Sequence, residues 1–252
     1  MAAYFTPFLS TILLLGLLIL GLRSRLLALY PMFYFYLATV ALCQLIRIAI
    51  INYYKSYYLP VYWYTQFVCV ALGFGILWEI YGAVFRHFPG TARMARFLVS
   101  FALATVLLNT LIQIATAQSA GLSSVISLEK NMRLVQAGLL ALGIALVIHY
   151  EIPIGKNAGG ILYGYGAFVI TSVLLLSLRE HFGPSFYTWW DAGQVLSYRT
   201  ILAVWLYTLH SYCPAPKVVA SPAMAEDYYW LGKTTQTSLA KLKRSLGKAL
   251  QP

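Results

Sequence analysis

The sequence predicts an all-α protein: a polytopic transmembrane bundle of seven helices, followed by a C-terminal cytoplasmic amphipathic helix. Only 10% of the 252 residues are charged and 60% are hydrophobic, whereas about a quarter of the residues of a soluble domain are charged. The apolar residues also form seven long stretches between short polar segments. A helix needs about 20 apolar residues to cross a bilayer, so each stretch predicts one span.

The seven stretches follow one another without a second folded domain between them. The first has its arginines after the apolar residues, unlike a signal peptide, whose basic residues come first, so we expect a retained helix. The third is the longest and is expected to tilt or to protrude. The predicted spans are residues 4–22, 30–52, 61–88, 97–117, 132–150, 159–178 and 192–211.

Glycine and aromatic residues indicate where these helices pack and where they end. Gly160 and Gly164 form a GxxxG motif in the sixth stretch, a spacing that lets two helix backbones approach closely in lipid. Tyrosine and tryptophan favour the headgroup layer. Because such residues follow the second stretch and precede the seventh, we expect both of these boundaries to lie on the outer side.

The distribution of lysine and arginine predicts an N-terminus outside and a C-terminus in the cytoplasm, because cytoplasmic loops retain positive charge. On this topology the outer loops carry Lys55, Lys130, Arg133 and Arg179. The cytoplasmic loops carry Arg23, Arg25, Arg86, Arg93, Arg96 and Lys156, and the tail adds more basic residues. The net charge of +11 therefore indicates contact with anionic lipid and not with nucleic acid.

The chain is expected to divide into a seven-helix transmembrane domain, residues 1–212, and a basic cytoplasmic tail, residues 213–252. Within residues 238–250, four leucines share one helical face, and Lys241, Arg244 and Lys248 lie opposite them. Such a helix is expected to lie on the anionic inner leaflet. The alternative is that it docks a cytoplasmic protein partner.

Polar residues inside a span are costly, so they are retained mostly where they face the bundle interior. Guanidinium groups suit carboxylates and phosphates, which predicts a small anionic or lipidic ligand bound from the outer side. The expected ligand-binding residues are Arg47, Gln44, Gln66, Arg133, Gln194 and Arg199, and Asn109, Gln113, Gln136 and Asp191 extend the polar set. The plainer alternative is that these side chains make hydrogen bonds between helices or snorkel to the surface.

Glu79 lies in the inner half of the third predicted helix, where the sequence offers no lysine as an intramembrane partner. A low-dielectric medium favours the protonated form of an isolated carboxylate, so Glu79 is a candidate buried acidic switch. The alternative is a neutral glutamic acid that is hydrogen-bonded to a tyrosine or to a backbone carbonyl.

Three histidines, His87, His149 and His210, fall at the cytoplasmic ends of the third, fifth and seventh predicted helices. Three histidines and a water form a catalytic-zinc ligand set. These three are far apart in the sequence, however, and HExxH is absent. No metal or organic cofactor is therefore expected, and the histidines stay weak candidates for a metal site.

Three segments resemble stretches of uncharacterised bacterial seven-helix integral membrane proteins. They are WEIYGAVFRHFPGTARMAR from Trp78, EKNMRLVQAGLL from Glu129 and IPIGKNAGGILYGYG from Ile152. The resemblance covers most of the bundle and implies the fold and the topology, but no activity. The topology is also similar to that of G-protein-coupled receptors, but the third helix lacks their acidic-arginine-aromatic triplet and the seventh lacks NPxxY.

The sequence thus favours a multi-pass protein of the bacterial inner (plasma) membrane that acts as a receptor or sensor and signals through a separate partner. The absence of recognised catalytic motifs favours a binding protein over an enzyme. One alternative is an accessory or scaffold subunit of a membrane protein complex. A second is a metal-dependent membrane enzyme that uses the histidine trio.

Overall fold

The computed structural model describes residues 2–86, 89–116, 122–213 and Trp230. Every regular element in these residues is a helix, and short 3-10 turns precede the fourth and the last α-helices. The α-helices are α1 (Ala2–Arg23), α2 (Leu26–Leu29), α3 (Pro31–Tyr53), α4 (Tyr58–Val84), α5 (Pro89–Thr116), α6 (Leu122–His149), α7 (Lys156–Phe182) and α8 (Tyr187–Leu209). Each of the seven predicted stretches overlaps one long helix, although α5 and α6 begin well before their stretches, and α2 is a single turn between the first two.

Within the described residues, five helices are long and apolar enough to cross a membrane, so by length and composition the chain is a multi-pass membrane protein. These segments are Pro31–Tyr53, Lys55–Val84, Gly90–Asn109, Leu128–His149 and Lys156–Phe182. The apolar run found in α1, Leu9–Arg23, is shorter. Helix α8 begins with the polar and aromatic sequence YTWWDAGQ, which lowers its hydropathy.

Six of the long helices form a closed ring. Going round it, α1 packs on α3, α3 on α4, α4 on α6, α6 on α7, α7 on α8, and α8 returns to α1. Helix α5 lies outside the ring against α4 and α6, and only 11% of its apolar segment is buried. The ring therefore encloses an interior that α5 does not line.

The contact between α7 and α8 depends on the GxxxG glycines. A Cβ atom on Gly160 would overlap the side chain of Thr208, and one on Gly164 would overlap the ring of Trp205. The indole Nε1 of Trp205 donates a hydrogen bond of 3.2 Å to the carbonyl oxygen of Gly160. The glycines thus let α8 approach α7 closely, in agreement with the packing role expected for this motif.

Asn157 joins the start of α7 to the end of α8. Its Nδ2 donates to the carbonyl oxygens of Thr208, at 3.0 Å, and Ser211, at 2.9 Å. The backbone N–H of Cys213 donates to its Oδ1 at 2.7 Å. Carbonyl groups at the end of a helix lack partners within the helix, so this single side chain caps α8.

The predicted tail falls almost entirely outside the described residues, because the description ends at Cys213 apart from Trp230. The amphipathic helix expected within residues 238–250 and the tail domain 213–252 therefore stay predictions.

Candidate functional site

A cavity of about 540 Å³ lies inside the ring, and all six ring helices contribute to its walls. The exposed side chains of Asn52 and Asp191 line one end, and the buried side chains of Tyr36 and Tyr165 line the other. The cavity therefore extends from the surface into the bundle. Its volume lies within the range of about 300–1,000 Å³ that is typical of small-molecule sites.

Most of the predicted ligand-binding residues line this one cavity: Gln44, Arg47, Gln66, Arg133 and Gln194. They come from α3, α4, α6 and α8, so the fold brings together residues that are far apart in the sequence. Arg199 does not line the cavity. Its Nε donates a hydrogen bond of 3.4 Å to the Oγ of Ser10, which does line it.

The additional polar residues are divided between the cavity, the core and the outside of the ring. Asp191 lines the cavity. Gln136 is fully buried beside it, donates to the carbonyl oxygen of Val70 at 2.7 Å and accepts from the Tyr165 hydroxyl at 3.2 Å. Asn109 is exposed on α5, outside the ring, and the side chain of Gln113 lies outside the described residues. These four polar residues therefore do not share one site.

A chain of hydrogen bonds crosses the cavity wall from α3 to α6. Nη2 of Arg47 donates to Oε1 of Gln66 at 3.1 Å. Nε2 of Gln66 then donates to Oε1 of Glu129 at 3.0 Å, and Nε of Arg133 donates to the same oxygen at 2.9 Å. The bridging amide of Gln66 thus connects the two arginines through Glu129.

Glu129 and Arg133 form an ion pair one turn apart on α6. Only 7% of Glu129 and 3% of Arg133 are exposed. Charges at this depth are tolerated when they are paired, because the partner replaces the lost hydration. The positive charge of Arg133 is therefore balanced inside the protein before any ligand binds.

Arg47 is held differently, by uncharged acceptors. Its Nε donates to the Oγ1 of Thr65 at 2.7 Å, and its guanidinium carbon lies 4.5 Å from the ring centroid of Tyr62. The ion pairs among the described residues are Lys130–Glu180 and Glu129–Arg133. No described carboxylate therefore forms an ion pair with Arg47, which lies in the cavity wall.

Aromatic side chains make up much of the remaining wall. The ring centroid of Phe168 lies 5.1 Å from the guanidinium carbon of Arg133. The hydroxyl of Tyr198 and the Nε1 of Trp190 are buried and have no hydrogen-bond partner among the described residues. Both residues line the cavity, so its wall includes two side chains whose polar groups no described residue satisfies.

Glu79 lies away from this cavity and caps a helix. Its Oε1 accepts a hydrogen bond of 2.8 Å from the backbone N–H of Met32, and its Oε2 accepts one of 2.9 Å from that of Phe33. These N–H groups belong to the first turn of α3, where no side chain of the same helix caps them. The switch hypothesis assumed an isolated carboxylate, whereas both oxygens here hold α3 against α4.

The described residues contain no group of three or more histidine, cysteine, aspartate or glutamate side chains that could hold a metal ion. His149 and His210 are described, but His87 lies outside the described residues. The histidine trio as a whole therefore stays a prediction.

Four further cavity residues are not among those predicted from the sequence: Glu129, Tyr62, Trp190 and Tyr198. Glu129 has a signal in the sequence, because it precedes Arg133 by four residues and such pairs meet on a helix. The aromatic residues have no such signal. An aromatic residue in an apolar stretch is equally consistent with contact to lipid, to a neighbouring helix or to a ligand.

Comparison of the chain with protein-family models, with curated proteins and with solved structures finds no match.

Proposed function

We propose that this chain is a receptor-like or sensor-like membrane protein that binds a small anionic or lipidic ligand in the ring cavity. The observation that carries the proposal is the guanidinium of Arg47, which lies in the wall of a 540 Å³ cavity without a carboxylate partner among the described residues. A ligand carboxylate or phosphate would supply the missing negative charge, and guanidinium groups bind both with charge-assisted hydrogen bonds.

The rest of the cavity supports a ligand with a polar head and an apolar body. Gln44 and Gln194 offer amide groups to the cavity, whereas the buried Tyr36 and Phe168 offer apolar surface. Glu129 pairs with Arg133, and Asp191 lines the exposed end of the cavity, so one negative charge on the ligand is enough to pair with Arg47. A monoanion with a hydrocarbon or aromatic body fits these walls.

The proposed topology has seven spans, with the N-terminus outside and the C-terminus in the cytoplasm of a bacterial inner membrane. It is supported by the positive charges on the loops assigned to the cytoplasm. On this topology the exposed cavity residues Asn52 and Asp191 lie on the outer side. A fluorescent protein fused after Pro252 should mature in the cytoplasm. The Tyr54→Cys variant should react with an impermeant thiol reagent in intact cells.

A thermal-shift screen of the purified protein tests ligand binding directly. The probes are fatty acids, aromatic carboxylates and alkyl phosphates, each paired with its uncharged amide or alcohol. We expect at least one anion to stabilise the wild type, its neutral analogue to do so less, and Arg47→Gln to abolish the difference. Lys55→Gln removes a charge from the exposed turn before α4 and should retain the response. Equal stabilisation of the Arg47→Gln variant by the same anion would refute the assignment.

A subunit role in a larger membrane complex is the second candidate, and the position of α5 favours it. This helix lies outside the ring, and Met94, Phe97 and Phe101 are each more than 60% exposed on it. Either a partner helix or lipid could cover that face. This candidate predicts a stoichiometric second protein that survives gentle detergent extraction.

A further inference from the structure

A second cavity, of about 670 Å³, lies between the end of α4 and the first turns of α5. Three arginines line it, Arg86 after α4 and Arg93 and Arg96 on α5. The two apolar segments that flank it end at Val84 and begin at Gly90. The arginines therefore lie at one boundary of the membrane, and the cavity shares no lining residue with the ring cavity.

Arg96 is held in place by α4. Its guanidinium carbon lies 4.2 Å from the ring centroid of Trp78, and its Nε donates to the Trp78 carbonyl oxygen at 3.4 Å. A Cβ atom on Gly82 would overlap this guanidinium, so the glycine leaves the space that the arginine occupies. The guanidinium is thus positioned across α4 before any ligand arrives.

The three arginines form a positive cluster without a compensating carboxylate. The lining contains no aspartate or glutamate. The ion pairs among the described residues are Lys130–Glu180 and Glu129–Arg133, so no described acid pairs with the cluster. Arginines gathered at a membrane boundary attract anionic headgroups, and their planar donors match phosphate oxygens.

The cavity continues onto an apolar helix face. Phe97 lines the cavity and is 66% exposed, and Phe101, one turn further along α5, is 61% exposed. Their ring centroids are 6.2 Å apart in a stacked arrangement. Because α5 lies outside the ring and these residues are within an apolar membrane segment, this face offers a surface for a hydrocarbon chain.

We propose that the second cavity and the adjoining apolar face of α5 together form a binding site for an anionic phospholipid. The phosphate group contacts Arg86, Arg93 and Arg96, and an acyl chain follows Phe97 and Phe101 along α5. The charge of the cluster selects an anionic headgroup over a zwitterionic one, and the exposed phenylalanines select a lipid over a free phosphate. This site is independent of the ligand that we propose for the ring cavity.

Native mass spectrometry of the delipidated full-length protein in detergent tests this site. The probes are phosphatidylglycerol, phosphatidylcholine with the same acyl chains, and soluble sn-glycerol 3-phosphate. We expect phosphatidylglycerol to bind at least tenfold more tightly than phosphatidylcholine, and glycerol phosphate in excess not to displace it. Each arginine near an anionic lipid contributes a factor of about five, so Arg86→Gln with Arg93→Gln should weaken phosphatidylglycerol binding about 25-fold.

The matched control is Arg23→Gln with Arg25→Gln, which removes two exposed charges near the end of α1. This variant should keep phosphatidylglycerol affinity within twofold of the wild type. Equal losses in the two double variants would show general charge attraction and overturn the proposal. So would equal binding of the two phospholipids, or displacement of phosphatidylglycerol by glycerol phosphate.

A cross-linking experiment on the wild-type protein covers the case in which the double variant does not fold. Phosphatidylglycerol with a diazirine on one acyl chain is bound, illuminated and mapped by peptide mass spectrometry. The label should fall on residues 94–101 of α5, where the exposed phenylalanines lie. A label spread evenly over the lipid-exposed helices, or concentrated elsewhere, would overturn the site.

Discussion

Replacement of Glu129 by Gln should destabilise the bundle strongly, although the new side chain has almost the same shape. The amide oxygen of Gln can still accept from Arg133, whose Nε lies 2.9 Å from Oε1 of Glu129. The negative charge is lost, however, and Arg133 is only 3% exposed. Removal of one member of a buried ion pair costs about 3–5 kcal/mol, because the remaining charge is neither hydrated nor paired.

Arg133→Gln should cost at least as much stability, because the contact with the Phe168 ring and the hydrogen bond to Glu129 are lost along with the charge. The guanidinium lies 5.1 Å from the Phe168 ring, and Glu129 would keep only its bond from Gln66. The double variant Glu129→Gln/Arg133→Gln leaves no buried charge at this position. We therefore expect the sum of the two single-variant costs to exceed the cost of the double variant, with a coupling energy of about 2 kcal/mol or more.

Reversible unfolding in mixed micelles, with SDS as the denaturant, measures the four free energies of this cycle. The control is Lys130→Gln, which removes the lysine of an ion pair with the more exposed Glu180 and should cost less than about 1 kcal/mol. Single-variant costs below about 1 kcal/mol that add in the double variant would refute the reasoning. The charge of Arg133 would then be hydrated or balanced by another group.

Three further changes test other parts of the structure by the same unfolding assay. Glu79→Gln replaces one of two N–H acceptors at the start of α3 by an amide donor, and should cost about 1–3 kcal/mol; an unchanged stability would contradict the capping role. Gly160→Ala places a Cβ against Thr208 and should cost about 1–3 kcal/mol, whereas the control Gly166→Ala, which meets nothing within 4 Å, should change little. Tyr198→Phe removes a buried hydroxyl that has no partner among the described residues. It should change the free energy of unfolding by no more than about 0.5 kcal/mol and weaken binding of the anion that the thermal-shift screen identifies. Full retention of binding would exclude this hydroxyl from the site.

The positions of the helices could be predicted because the cost of burying backbone polar groups in lipid forces each apolar stretch into one helix. Hydropathy marks only the apolar part of a helix, however. The fifth stretch was predicted to begin at Met132, whereas α6 begins at Leu122. The extra turns contain Glu129, and a charged residue in a polar segment gives no sign that it lies inside the bundle.

The composition of the cavity could be predicted better than its arrangement. Three of the predicted residues, Gln44, Arg47 and Gln66, are costly in a membrane, and all three line the cavity. Helix rotation is set by packing, which hydropathy does not report. Hydropathy therefore does not show that the Glu129–Arg133 pair faces the interior, or that α5, with Asn109, lies outside the ring.

The capping role of Glu79 could not be read from local sequence either. Its partners, Met32 and Phe33, precede it by more than 40 residues and contribute backbone N–H groups, which carry no sequence signature. A residue with no partner nearby in the sequence can therefore be fully hydrogen-bonded in the fold.

Native mass spectrometry of the protein extracted gently from its own membrane tests the central claim most directly. The wild type should carry a discrete organic anion that Arg47→Gln lacks and Lys55→Gln retains, because Arg47 lines the ring cavity and no described carboxylate forms an ion pair with it. The same adduct on the Arg47→Gln protein, or a defined second protein without any adduct, would contradict the claim and make the ring cavity a structural feature of a subunit.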